Sequence, residues 1–223
     1  MSQPSTAGQE TTAPETASFG ATGIGQYLAE LAAKAPAPGG GAVAALHAAQ
    51  GAALVAMVAR YTTRAKDAEH RTVVERIIDA ADAARARSLA LVDADAAAFT
   101  AVGAAYKLPK ATDEETAARK AAITVALIEA ARVPAAVVDE ADEVLSLAAE
   151  LLPIGNPNVV TDIGAAADAA RAAATSSRLN IEINLVSLAP EDGDRFAPAL
   201  VRVEGIAARA EALYGEVLRS VRA

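Results

Sequence analysis

The sequence has no cysteine, no tryptophan, two histidines and only 3% aromatic residues. Without cysteine there are no disulfides, no thiolate nucleophile and no Cys-based zinc or iron–sulfur site. Two histidines without paired ligand spacing make a metal site unexpected. Chemistry therefore falls to carboxylates, amides, Lys, Tyr or His. The first residues, MSQPSTAGQETTAPETASFG, have neither a basic region nor an apolar run. They are not read as a signal peptide, and we expect a cytoplasmic protein. Charge is expected to interrupt each apolar stretch before the roughly 18 residues of a membrane span. Net charge is −8, with acidic residues spread along the chain rather than gathered in a tail. Nucleic acid and anionic membrane are thus not expected as partners.

What the chain has in quantity is small apolar side chains. Hydrophobic residues make up 53%, mostly Ala with Val, Leu and Ile, a composition suited to closely packed helices. No segment alternates with period two, and there is no internal repeat. Residues 1–20 read as a disordered tail and 21–223 as one all-α domain, a bundle of about six long helices. Start and stop signals place helices from Thr22 to Ala35, Ala42 to about Thr63, Asp67 to about Ala105, Thr112 to about Glu150, Val159 to about Leu188, and through the C-terminal region after Pro190. The second is apolar on nearly every side and belongs in the centre. Thr112 with Glu115 forms a capping box, and Pro134 should kink the helix that follows.

Three constellations stand out. Pro38-Gly39-Gly40-Gly41 opens the central helix; glycines there indicate positive φ, a close approach by another group, or a plain turn. Asp95 and Phe99 share a helix face four residues apart, with Lys107 and Lys110 just beyond the helix end. Asn156 sits in the turn Gly155-Asn156-Pro157-Asn158. After it, Asp162, Ala166, Ala169, Ala173, Ser177, Asn180, Asn184 and Ser187 fall near one helix face. Asn180 and Asn184 lie among Leu179, Ile181, Ile183 and Leu185, so their amides need partners from a neighbouring helix or from a heterocycle. His47 reads more readily as a packed side chain than as a base.

In this order the motifs closely resemble the cyclodeaminase and cyclohydrolase family that includes the C-terminal domain of formiminotransferase-cyclodeaminase. The resemblance runs from about Gly23 to the C-terminus. It implies a helical homodimer acting on the one-carbon bridge between N5 and N10 of tetrahydrofolate or its polyglutamylated form, with no cofactor beyond that substrate. The first expectation is closure of 5-formimino-tetrahydrofolate to the 5,10-methenyl form with loss of ammonia. The alternatives are hydrolysis of the methenyl form to 10-formyl-tetrahydrofolate, or a non-catalytic folate-binding dimer. In this frame Asp162 or Asp95 relays the proton. Pro38 and Gly39 to Gly41, with Asn156, Asn180 and Asn184, hold the pterin, and Lys107 and Lys110 the glutamate tail. Ala42 stands where the family commonly has Ser after the glycines, and Thr161 where Ser commonly precedes the Asp.

Overall fold

A computed structural model describes residues 18–222. Its six principal helices are α1 (Ile24–Leu31), α2 (Gly40–Arg60), α3 (Arg71–Tyr106), α4 (Asp113–Leu151), α5 (Val160–Leu185) and α6 (Ala197–Arg222). The described residues contain no strand. α1 stops four residues short of the expected end. Beyond it Pro36 and Pro38 hold the chain extended, because the residue before a proline is pushed out of the helical region. Phe19 and Gly20, expected in the tail, belong to the fold. Phe19–Ala21 forms a 3-10 turn whose Phe19 amide donates to Asp93 Oδ1 at 2.7 Å; the rest of the tail expectation lies outside the described residues.

α2 is the axle of the bundle and packs on α3, α4 and α5. Eight of its twelve buried residues are alanine, and two more are glycine. Small side chains let neighbours come close: a Cβ on Gly51 would lie 3.0 Å from Val144 Cγ1 and 3.2 Å from the Ala166 carbonyl. One expectation fails here, because no charge occurs between Gly40 and Arg60. α2, like parts of α3 and α4, is long and apolar enough to cross a membrane by length and composition, yet 61% of its apolar window is buried against other helices of the chain.

The two ends of the long helices are set locally. Thr112 accepts from the Glu115 amide at 3.1 Å while Glu115 accepts from the Thr112 amide at 3.2 Å, the reciprocal box that starts α4. The expected kink does not interrupt α4, which runs unbroken through the buried Pro134. Proline removes the amide that would bond to the Ala130 carbonyl, and Asn184 Nδ2 donates to that oxygen at 3.3 Å instead. Midway along the bundle, Arg87 donates through Nε and Nη2 to both oxygens of the buried Glu140, at 2.7 and 2.9 Å, tying α3 to α4.

Candidate functional site

At one end of the bundle, α2 begins against the middle of α3 and the C-terminal half of α5. Asp95 Oδ2 accepts the Ala42 amide at 3.0 Å, so a carboxylate occupies the N-terminus of the buried helix, where unpaired amides and the helix dipole favour negative charge. The approach needs glycine at position 41. A Cβ there would lie 2.0 Å from Asp95 Oδ1 and 2.5 Å from Cγ, inside any permitted contact. None of the described glycines has positive φ, so close approach is the reason for Gly41. Gly40 faces Asn180 at 3.7 Å and Gly39 faces open space; at these two positions a side chain would meet no clash.

Ala42 is fully buried and contributes its backbone to the site. The hydroxyl missing at that position is not what holds Asp95. Burial pushes the Asp95 carboxyl above its ordinary value, and the bond from Ala42 partly opposes the shift. Tyr27 on α1 is 5% exposed, and its hydroxyl finds no hydrogen-bond partner among the described residues. Burial first, and the nearby Asp95 charge second, raise its pKa. Sequence reasoning missed Tyr27, which lies on a short helix with no motif around it.

Asp95 opens into a cavity of about 260 Å³ lined also by Gly39 to Gly41, Phe99, Asn180 and Asn184. That volume lies below the usual range for a whole drug-sized ligand, so it suits one ring system with the remainder emerging at the mouth. Phe99, 55% exposed, and Ile183, 68% exposed, line the same cavity. The chain's other phenylalanines are both packed: Phe196 is buried and Phe19 leans on the core. The amides expected to need partners have them. Asn180 Nδ2 donates to the Ser176 carbonyl at 2.8 Å, and Asn184 Nδ2 to the Asn180 carbonyl at 2.7 Å and to Ala130.

The remaining expected residues stand apart from this cavity. Pro38, after a cis peptide bond, belongs to the turn and does not line it. Lys107 follows the last residue of α3 and Lys110 lies in the connection to α4, both exposed. Lys107 is twelve residues from Asp95, about 18 Å along the helix. Asn156 and Asp162 are at the opposite end of α5. Asn156 Nδ2 donates to the Tyr61 carbonyl at 2.9 Å, its amide donates to Thr62 Oγ1 at 3.1 Å, and its own Oδ1 accepts from the Asn158 amide. It borders a wider hollow of about 760 Å³ with Arg64 and His70, in which Arg64 is already paired with the buried Asp67 at 2.8 Å. Asp162 and Asn180 are eighteen residues apart, about 27 Å along α5. The polar stripe therefore does not form a single site within one protomer.

Fold and site together define an all-α bundle with a desolvated carboxylate and two fixed amides around a small cavity. A sequence profile of the formiminotransferase-cyclodeaminase family matches residues 23–197, and the chain belongs to that family. It is 39% identical over 201 residues to a methenyltetrahydrofolate cyclohydrolase of Methylorubrum extorquens, covering 89% of this chain and 95% of that protein. Against the formimidoyltransferase-cyclodeaminase of Rattus norvegicus it is 38% identical over 160 residues, 71% of this chain but only 30% of the rat protein. The crystal structure of formiminotetrahydrofolate cyclodeaminase from Thermotoga maritima superposes with a TM-score of 0.76 at 28% identity, covering 91% of this chain and 96% of that one.

Proposed function

We propose that this chain is a folate one-carbon enzyme that adds water to the bridge of 5,10-methenyl-tetrahydrofolate to give 10-formyl-tetrahydrofolate. The observation that carries the reading is the Asp95 carboxylate, half-buried and seated against Gly41 beside Asn180 and Asn184. Sequence alone leads to the deaminating reaction. The full-length likeness to a cyclohydrolase favours the hydrolytic one, and the likeness to the Thermotoga cyclodeaminase keeps loss of ammonia as the second reading.

One group can serve either reaction. In hydrolysis, Asp95 takes a proton from water as its oxygen bonds to the bridging carbon. The tetrahedral adduct then loses its C–N5 bond as N5 receives a proton and the hydroxyl proton departs, leaving the formyl group on N10. In deamination, N10 attacks the carbon of the protonated formimino group (C=NH2+), and Asp95 carries the N10 proton to the resulting amino group, which leaves as ammonia and yields the methenyl cation. A carboxyl raised by burial toward the working pH transfers protons in both directions with less mismatch. The pterin sits at the Asn180 and Asn184 end, and the aminobenzoyl ring leaves past Phe99 and Val102. Asp95, Phe99, Val102 and Tyr106 recur at helical spacing on one face of α3. Lys107 and Lys110 flank the end of that track, where a glutamate tail can reach them. The shallow apolar surface of Leu54, Met57, Ala165 and Ala169 across α2 and α5 is proposed as the homodimer contact, to be checked by light scattering.

The test follows absorbance of the methenyl chromophore with each substrate. Wild-type enzyme should consume methenyl-tetrahydrofolate faster than its spontaneous hydrolysis. Formation of the chromophore from the formimino substrate alone would move the assignment to the deaminase. Gly41→Ala, which drives the Asp95 carboxylate out of its seat, should lower turnover by about 100-fold or more in either case.

A further inference from the structure

The geometry points to Pro134 as a positioning residue that fixes Asn184 as a hydrogen-bond acceptor facing the ligand, so that the cavity selects for an N–H donor. This rests on the folate reading above, in which a reduced pterin supplies such donors from its ring nitrogens and amino group. The chain of cause begins with the backbone. In a regular helix the amide of residue 134 would satisfy the Ala130 carbonyl, but proline has no amide to give. That carbonyl is left open on the face of α4 that lines the cavity.

Asn184, one helix away on α5, supplies the missing donor at 3.3 Å and gives its other N–H to the Asn180 carbonyl at 2.7 Å. A side-chain amide has two N–H donors and one carbonyl oxygen. With both donors bonded to backbone carbonyls, its orientation is determined: the nitrogen is held between α4 and its own helix. Its oxygen is the one polar atom left for the cavity. An asparagine free to turn over would offer a donor or an acceptor with equal ease; this one offers an acceptor. Pro134 itself is buried and does not line the cavity, so it acts on a ligand only through Ala130 and Asn184.

The experiment is a double-mutant cycle on the full chain, reading KM and kcat for methenyl-tetrahydrofolate and the dissociation constant for tetrahydrofolate. Pro134→Ala restores the amide, which closes on the Ala130 carbonyl and displaces Asn184. We expect KM and the dissociation constant to rise about 3- to 10-fold, the worth of one hydrogen bond, with kcat changed less. Asn184→Ala should cost at least as much. The double variant should be no worse than Asn184→Ala alone, because proline acts through the asparagine. Asn184→Asp, which keeps the size but cannot donate to the two carbonyls, should resemble Asn184→Ala. A Pro134→Ala effect of the same size with and without Asn184, or no effect at all, would overturn the inference while leaving the folate reading intact. If Pro134→Ala fails to fold, an Asn184→Asp variant that binds like wild type is enough to overturn it. A wild-type protein that neither binds tetrahydrofolate nor turns over either substrate would sink both.

Discussion

The two ends of α5 carry similar residues and do different things. At the N-terminal end, Asn156 and Asp162 stand near a wide hollow, and every polar group of Asn156 is used to close a turn on the end of α2. At the C-terminal end, Asn180 and Asn184 place their donors on carbonyls and face the half-buried Asp95. The difference is what each end packs on. The first meets the terminus of α2, where carbonyls need donors; the second meets the start of α2, where Gly41 admits a carboxylate. A helix face identifies residues that look the same way, and about 27 Å of helix can still separate them.

The sharpest way to break this comparison is to change the acid at each end. Asp95→Asn should lower turnover by about 100-fold or more with the fold retained, whereas Asp162→Asn, in the first turn of α5 where it makes no cap bond and stands far from the cavity, should stay within about threefold. Both measured by the methenyl absorbance assay, equal losses would show that the far end joins the site. Next comes pH. The folded chain holds the Asp95 proton more tightly than the unfolded chain does, so this group lowers stability as pH rises from the ordinary carboxylate value through the raised one. Asp95→Asn should therefore melt higher than wild type at neutral pH, by thermal denaturation. The acid limb of wild-type kcat/KM should lie above the ordinary Asp range, because the base form of Asp95 is needed. A smaller effect is expected from Phe99→Ala: KM up about 10-fold with kcat nearly unchanged, as for binding remote from the reacting carbon. The smallest belongs to the two lysines. Replacing Lys107 and Lys110 by Ala should raise KM a few-fold for polyglutamylated substrate and less for monoglutamate.

Much of the fold could be read in the sequence because its signals are local. The Thr112–Glu115 box, the all-round apolar α2 and the long periodic α3 depend on residues within a few turns of one another. The Asp95–Phe99 pair was legible for the same reason. What could not be read was contact between distant segments. No periodicity distinguishes Gly41, which a carboxylate needs, from Gly39, which faces open space. Pro134 announces a lost hydrogen bond but not that Asn184 takes it up. The stripe on α5 was traced correctly as a face, and Ala166, Ala173 and Ser177 are indeed buried. Its ends were assigned to one site only because linear spacing says nothing about which neighbours each end will meet.

The alanines of α2 also decide how the protein can change over generations. A core built from side chains that have no rotamers loses almost no side-chain entropy on ordering, but it draws its cohesion from nearness rather than bulk. Truncation has little left to remove there. Growth is another matter, since a single extra methyl at Gly51 already meets Val144 and the backbone of α5. Variation in this lineage should therefore accumulate on the outer helices and their connections, while the axle tolerates exchange only among its smallest residues.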